Sequence, residues 1–140
     1  MRDAAEPRLI EIVAAVIRDR QGRMLTVRKH GTAAFMLPGG KREPGENDQA
    51  ALARELLEEL GCRLTASRAL GTFEAPAANE PDHTVRGAIY LAQAEGEIVA
   101  RAEIAELLWI DPLAPPPIRL APLLATCVLP ALADQASETK

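Results

Sequence analysis

From Leu37 to Cys62 the chain reads LPGGKREPGENDQAALARELLEELGC, and this stretch restricts the fold more than any other. Pro38 withholds an amide and stiffens the approach, while Gly39 and Gly40 permit positive φ and close approach of backbone. Pro44-Gly45 marks a second turn. The spacing predicts a helix over Asp48 to Leu60, capped by Asn47 or Asp48 and stopped by Gly61. At roughly 100° per residue, with Glu55 set at zero, Glu59 falls at about +40° and Glu58 at about −60°. The three carboxylates share one face, and Leu52, Ala53, Leu56, Leu57 and Leu60 spread over the other, which packs on a sheet. The acids are expected to project away from the core. Like charges this close repel, so the face is either a solvated salt-bridge surface or a cradle for a hard divalent cation, which takes several oxygen ligands in a compact shell.

The remaining segments place this helix in a layered domain. Leu9 to Arg18 is apolar and β-branched and reads as a buried strand. DRQGR turns the chain, and MLTVRK is expected to return as a hairpin with the first strand. FMLPGG reads as a short strand ending in the bend. RLTASRALGTFEA and TVRGAIYLAQA read as strands on either side of a loop, PAANEPDH, and LLWI as a further strand. DPLAPPP is a stiff connector. IRLAPLLATCVLPALA reads as a second, apolar helix whose start and stop are limited by Pro122 and Pro130. Residues 1–7 and 133–140 read as flexible tails. With 140 residues, residues 1–140 are expected to form one α+β domain, a mixed sheet sandwiched between helices (α/β/α).

Charge and cysteine usage exclude several roles. Sixteen basic and 20 acidic residues leave a net charge of −4, with no excess to grip a nucleic-acid polymer. The aromatics Phe35, Phe73, Tyr90 and Trp109 are too few for a single-strand stacking platform. Cys62 and Cys127 lie far apart in apolar context and read as small hydrophobes in a reducing compartment, not as a disulfide frame or zinc site. No signal-peptide core or membrane-length apolar run is present in the sequence. The expectation is a soluble cytoplasmic chain with no membrane partner, a monomer or a homodimer.

The segment Gly40, Glu46, Arg54-Glu55, Leu56, Leu57, Glu58-Glu59, Leu60, Gly61, Cys62 resembles the Nudix box, the signature of the Nudix hydrolase family. All seven fixed residues match; chance would produce that about once in 10⁸ start positions at a typical usage of roughly 7% per residue type. The resemblance implies the Nudix fold and Mg²⁺- or Mn²⁺-dependent hydrolysis of a pyrophosphate bond in a nucleoside diphosphate linked to another group. The substrate would be a small nucleotide such as a nucleoside triphosphate or ADP-ribose. Carried onto this chain, Glu55, Glu58, Glu59 and the Gly39 carbonyl are the metal ligands. Arg54 orients Glu55, and Glu46 braces the loop. The alternative within the family is a module that senses a nucleotide without cleaving it; the intact carboxylate set speaks for the enzyme.

The base that takes the proton from the attacking water varies within the family. Glu55 and Glu58 are candidates, as are Glu103 and Glu106 in RAEIAELLWID. Arg28 and Lys29, at the end of the second strand, match the position of phosphate-contacting residues, and Lys41 and Arg42 flank the bend. His30 reads as a loop residue. Substrate choice lies outside the box. There is no SQPWPFPxS-like segment, which leaves NADH specificity unsupported. The one tyrosine, Tyr90, is not where diadenosine-polyphosphate enzymes carry theirs. Pro76 lies near the marker proline of ADP-ribose enzymes, and Asp111 stands without a second acid. Phe35, Phe73 and the PAANEPDH loop are candidates to contact a base.

Overall fold

The structure, a computed structural model, describes residues 8–138, with residues 1–7 and 139–140, parts of both expected tails, outside that range. Six strands and two helices follow in the order β1 (Arg8–Ile17), β2 (Met24–Lys29), β3 (Gly39–Gly40), α1 (Asp48–Leu60), β4 (Arg63–Pro76), β5 (His83–Glu95), β6 (Ile104–Ile110) and α2 (Leu129–Glu138). A four-stranded sheet is ordered β3-β1-β5-β4, with β1 and β5 parallel and the other pairs antiparallel. The expected mixed sheet is therefore present.

β1 shows why its sequence is apolar throughout. Val13, Ala15 and Ile17 join Leu52, Leu56 and Leu60 of α1 in one core layer. Ala14 and Val16 point the other way, into a second layer with Leu124, Val128, Leu129 and Leu132. A central strand buried on both faces needs apolar residues at successive positions, not alternate ones. Leu52, Leu56 and Leu60 are fully buried, and each stabilises the fold by roughly 1.5–3 kcal/mol.

The hairpin predicted for β1 and β2 forms only at its turn. Asp19 donates its amide to the Arg23 carbonyl at 2.9 Å, and Arg18 bridges Met24. Beyond that the strands part, and β2 pairs with β6 in a separate two-stranded sheet. The partner of β2 lies some eighty residues away, a long-range choice that local turn chemistry does not settle.

The second helix also differs from its expected bounds. Helical structure begins at Pro122, opens into a π turn over Leu124–Val128, and continues as α2 to Glu138, well past Ala133. Pro122 stands in the first turn, where no amide is required. Pro130 has no amide for the Thr126 carbonyl and its ring crowds that carbonyl. The turn just before it is wide: the Leu129 amide reaches the Leu124 carbonyl, five residues back.

Candidate active site

β3 is two residues long and lies between β1 and the flank of α1. Gly39 has φ +154°, and a Cβ there would stand 2.1 Å from the Val13 carbonyl oxygen. A Cβ on Gly40 would stand 2.5 Å from Glu55 Oε2. Both positions require bare backbone, one against the sheet and one against a carboxylate.

α1 holds its acids by firm ends. The Asn47 side chain accepts from the Ala50 amide at 2.8 Å, so Asn47 is the N-cap. Asp48 instead receives Arg42 at 2.5 Å and the Tyr90 hydroxyl. The Arg42 hydrogen bond holds the Asp48 carboxyl below its ordinary value, while the bond to Asp48 raises that of Tyr90. At the other end Gly61, at φ 71°, donates its amide to Leu57.

The buried arc of α1 is rotated from the expected one. Ala51, Leu52, Leu56, Glu59 and Leu60 are buried, which spans about −40° to +140° on the wheel. Glu55 and Glu59 lie inside this arc; Glu58 and Leu57 lie outside it. Leu57, expected on the sheet, is 58% exposed. Glu59, expected to project from the core, is 2% exposed. Its Oε1 accepts the Gly39 amide at 3.1 Å, and its Oε2 is buried without a partner. Burial pushes its pKa up to about 8; Glu55 adds to the rise and the Gly39 amide opposes it. Burial likewise raises that of Glu55, against the pull of Arg54.

Arg54 joins the box into one unit. Its guanidinium donates to both oxygens of Glu46 at 2.7 and 2.8 Å, to Glu55 Oε2 at 2.9 Å and to the Lys41 carbonyl at 3.0 Å. Glu46 also accepts the Glu43 amide at 2.7 Å. These bonds hold the Glu46 carboxyl down at about 2. Glu58 is 3.7 Å from Arg54, on the exposed side. Among the described residues no three His, Cys, Asp or Glu side chains converge as a ready-made cation cage. The donor set nevertheless suits a hard cation: the carboxylate oxygens of Glu55, Glu58 and Glu59, of which Glu59 Oε2 is buried without a partner.

A cleft of about 370 Å³ opens over this bend, lined by Lys29, Lys41, Glu55 and Glu103 with the two glycines and by residues 77–80. Glu103 is 3.6 Å from Lys29 and follows Ala102, whose φ is 54°. The His30 amide, donated to the Glu103 carbonyl at 2.9 Å, ties this turn to the end of β2. Arg28 does not line the cleft: it pairs with Glu106 at 3.1 Å and donates to the Thr32 carbonyl at 2.9 Å. The structure therefore separates two residue pairs that the sequence left together: Lys29 and Glu103 line the cleft, and Arg28 and Glu106 bind each other beside it.

The aromatic candidates are structural in their contacts. Phe35 is buried, with its amide and carbonyl bonded to Arg119 and Ala121. Phe73 lies over Gly71, where a Cβ would meet its ring at 2.9 Å. Asp111 accepts the Leu113 amide in a local turn. What the sequence reading missed is apolar: Ile12, Met36, Leu37 and Val85 line the cleft, yet in sequence they cannot be told from ordinary core.

The NUDIX domain family profile matches residues 9–128. A Bacillus subtilis (strain 168) protein, provisionally described as an 8-oxo-dGTP diphosphatase, is 30% identical over 97 residues, 69% of this chain and 63% of its own. The RNA pyrophosphohydrolase of Pectobacterium atrosepticum is 38% identical over 60 residues, 43% of this chain and 34% of its own length. This chain thus matches about two thirds and one third of those relatives. The crystal structure of a MutT NUDIX hydrolase from Burkholderia pseudomallei superposes with a TM-score of 0.72 at 26% identity, covering 90% of this chain and 97% of that one. The profile match and the shared fold, together with the site built around Gly39 and Glu59, place the chain in the NUDIX family.

Proposed function

We propose that this chain hydrolyses a pyrophosphate bond in a nucleoside diphosphate linked to another group, such as a nucleoside triphosphate or ADP-ribose, with Mg²⁺ or Mn²⁺. The observation that carries the reading is Glu59: a buried carboxylate, one oxygen on the Gly39 amide and the other without a partner. A buried polar atom left unpaired is unfavourable unless something completes it. Glu55, Glu58, Glu59 and the Gly39 carbonyl are the groups that would hold the cation, with Glu58 on the exposed side beside Arg54. When bound, the cation supplies positive charge that offsets the diphosphate and makes water more acidic.

The chain's own residues do the rest. Arg54, fixed by Glu46, orients Glu55. Lys29 and Lys41 meet the phosphate oxygens at the cleft mouth. Glu103 is the acid we favour to accept the proton from the attacking water, because it lines the cleft and Glu106 does not. The water oxygen joins one phosphorus, the bridging P–O bond breaks, and the leaving phosphate carries away the electron pair. The reaction is assigned to a reducing, cytoplasmic setting, consistent with two free cysteines; among the described residues no helix is long and apolar enough to cross a membrane. Every residue invoked belongs to one chain, so a homodimer would carry two such sites.

The test is a panel of nucleoside triphosphates, ADP-ribose and sugar nucleotides with Mg²⁺ or Mn²⁺, run on the chain and on Glu59→Gln. Turnover that Glu59→Gln abolishes is expected. Folded protein that binds a nucleotide tightly by calorimetry and returns it uncut would favour the sensor instead.

A further inference from the structure

Behind the acidic bend the cleft, at about 370 Å³ within the size range of small-molecule pockets, runs on into a second, smaller hollow of about 90 Å³. The two share Ile12, Met36, Leu37 and Val85 as a common wall. Every side chain lining the inner hollow is aliphatic, proline or methionine. Several backbone amides around it are engaged: Met36 with Val27, Ala77 with His83 and Ala121 with Phe35. Leu123 also lines it. It fits there because Gly87 lies beneath it, where a Cβ would stand 2.7 Å from Leu123 Cδ2. Polar side chains of the cleft lie outside this hollow, at the bend (Lys29, Lys41, Glu55, Glu103) and on the loop (Asn79, Glu80).

We infer that this site selects the group attached to the diphosphate by apolar fit in the pocket of Ile12, Met36, Leu37, Val85 and Leu123, not by hydrogen-bonded reading of a base edge. The inference rests on the pyrophosphohydrolase reading of the same cleft. An apolar pocket distinguishes one methyl group by about 10–200-fold and rejects an added polar group weakly, whereas a site built to hydrogen-bond its substrate reaches about 10⁴–10⁵. The substrate class is therefore a nucleotide read by size and apolar surface. An oxidised purine is not told from an ordinary one.

The experiment compares kcat/KM for dGTP, 8-oxo-dGTP, dTTP and dUTP, and follows methyl NMR signals of the wild-type chain with Mg²⁺ and α,β-methylene dGTP, which cannot be cut at that bond. Expected are an 8-oxo-dGTP to dGTP ratio within about tenfold, dTTP favoured over dUTP by about tenfold or more, and shifts at Met36, Val85 and Leu123. Val85→Thr keeps the strand and the shape while adding a hydroxyl, and should raise KM several-fold with kcat held. A preference for 8-oxo-dGTP above about 10³, or pocket methyls that stay still while Lys41 signals move, overturns the inference. Loss of all turnover with the methyls still shifting overturns the hydrolase reading and leaves the pocket assignment standing.

Discussion

The Gly39 amide donates a 3.1 Å hydrogen bond to Glu59, whose carboxylate lies beneath the glycine bend with its second oxygen unpaired. This one contact joins the strand bend, the helix and the deepest acid of the site.

Glu59→Gln keeps the shape and the Gly39 bond but cannot ionise to meet a cation. We expect kcat to fall by about 10²–10³, the scale on which one electrostatic group contributes to a transition state. Steady-state kinetics checks it, with circular dichroism to show an unchanged fold.

The pH dependence of stability has a definite sign. The pKa of Glu59 is raised from 4.5 to about 8, so between those values the folded chain holds a proton that the unfolded chain has released. Stability from this group is full below pH 4.5 and falls as pH rises through about 8. Thermal melts without divalent metal should show this decline in the wild type and a flatter profile in Glu59→Gln. Added Mg²⁺ or Mn²⁺ should restore stability to the wild type alone.

Arg54→Lys loses the forked contact with Glu46 and the bond to Glu55 together, since an ammonium cannot span both. The Glu46 carboxyl, now at about 2, should titrate nearer its ordinary value. The stability it provides is present above pH 4.5 and lost as pH falls toward 2. Carboxyl NMR titration reads the shift, and kcat should fall with it.

The rotation of α1 is tested by neighbours. Leu56 is fully buried and Leu57 is 58% exposed. Leu56→Ala should destabilise by about 2–5 kcal/mol, and Leu57→Lys by no more than about 0.5 kcal/mol. Denaturant melts that ranked them the other way would refute the observed helix face.

Glu103 and Glu106 are three residues apart but differ in surroundings. Glu103→Gln should lower kcat by about 10²-fold or more in steady-state kinetics. Glu106→Gln, which breaks only the Arg28 pair outside the cleft lining, should leave kcat within about twofold of the wild type.

The box was legible because its information is local. Spacings of three and four residues put Glu55, Glu58 and Glu59 on neighbouring turns whatever lies opposite, and the Asn47 and Gly61 caps act through backbone groups within a turn of themselves. The bend was legible too, since a glycine pair after proline has few other uses. The helix face was misread because Leu57 and Glu59 were sorted by polarity alone. Glu59 lies at about +40° and Leu52 at about +60° on the wheel, so they share a side.

Sequence by itself determined the chemistry: which oxygens are available, at what spacing, and on an element with defined ends. Tertiary structure alone decided which acid is buried, that β2 joins β6 and not β1, that Lys29 and Glu103 reach the cleft while Arg28 and Glu106 pair outside it, and that an apolar hollow adjoins the acids. The physical reason is that burial and pairing depend on groups distant in the chain. A carboxylate's charge, an amide's partner and a leucine's exposure are set by what the fold brings against them, and no local pattern encodes that.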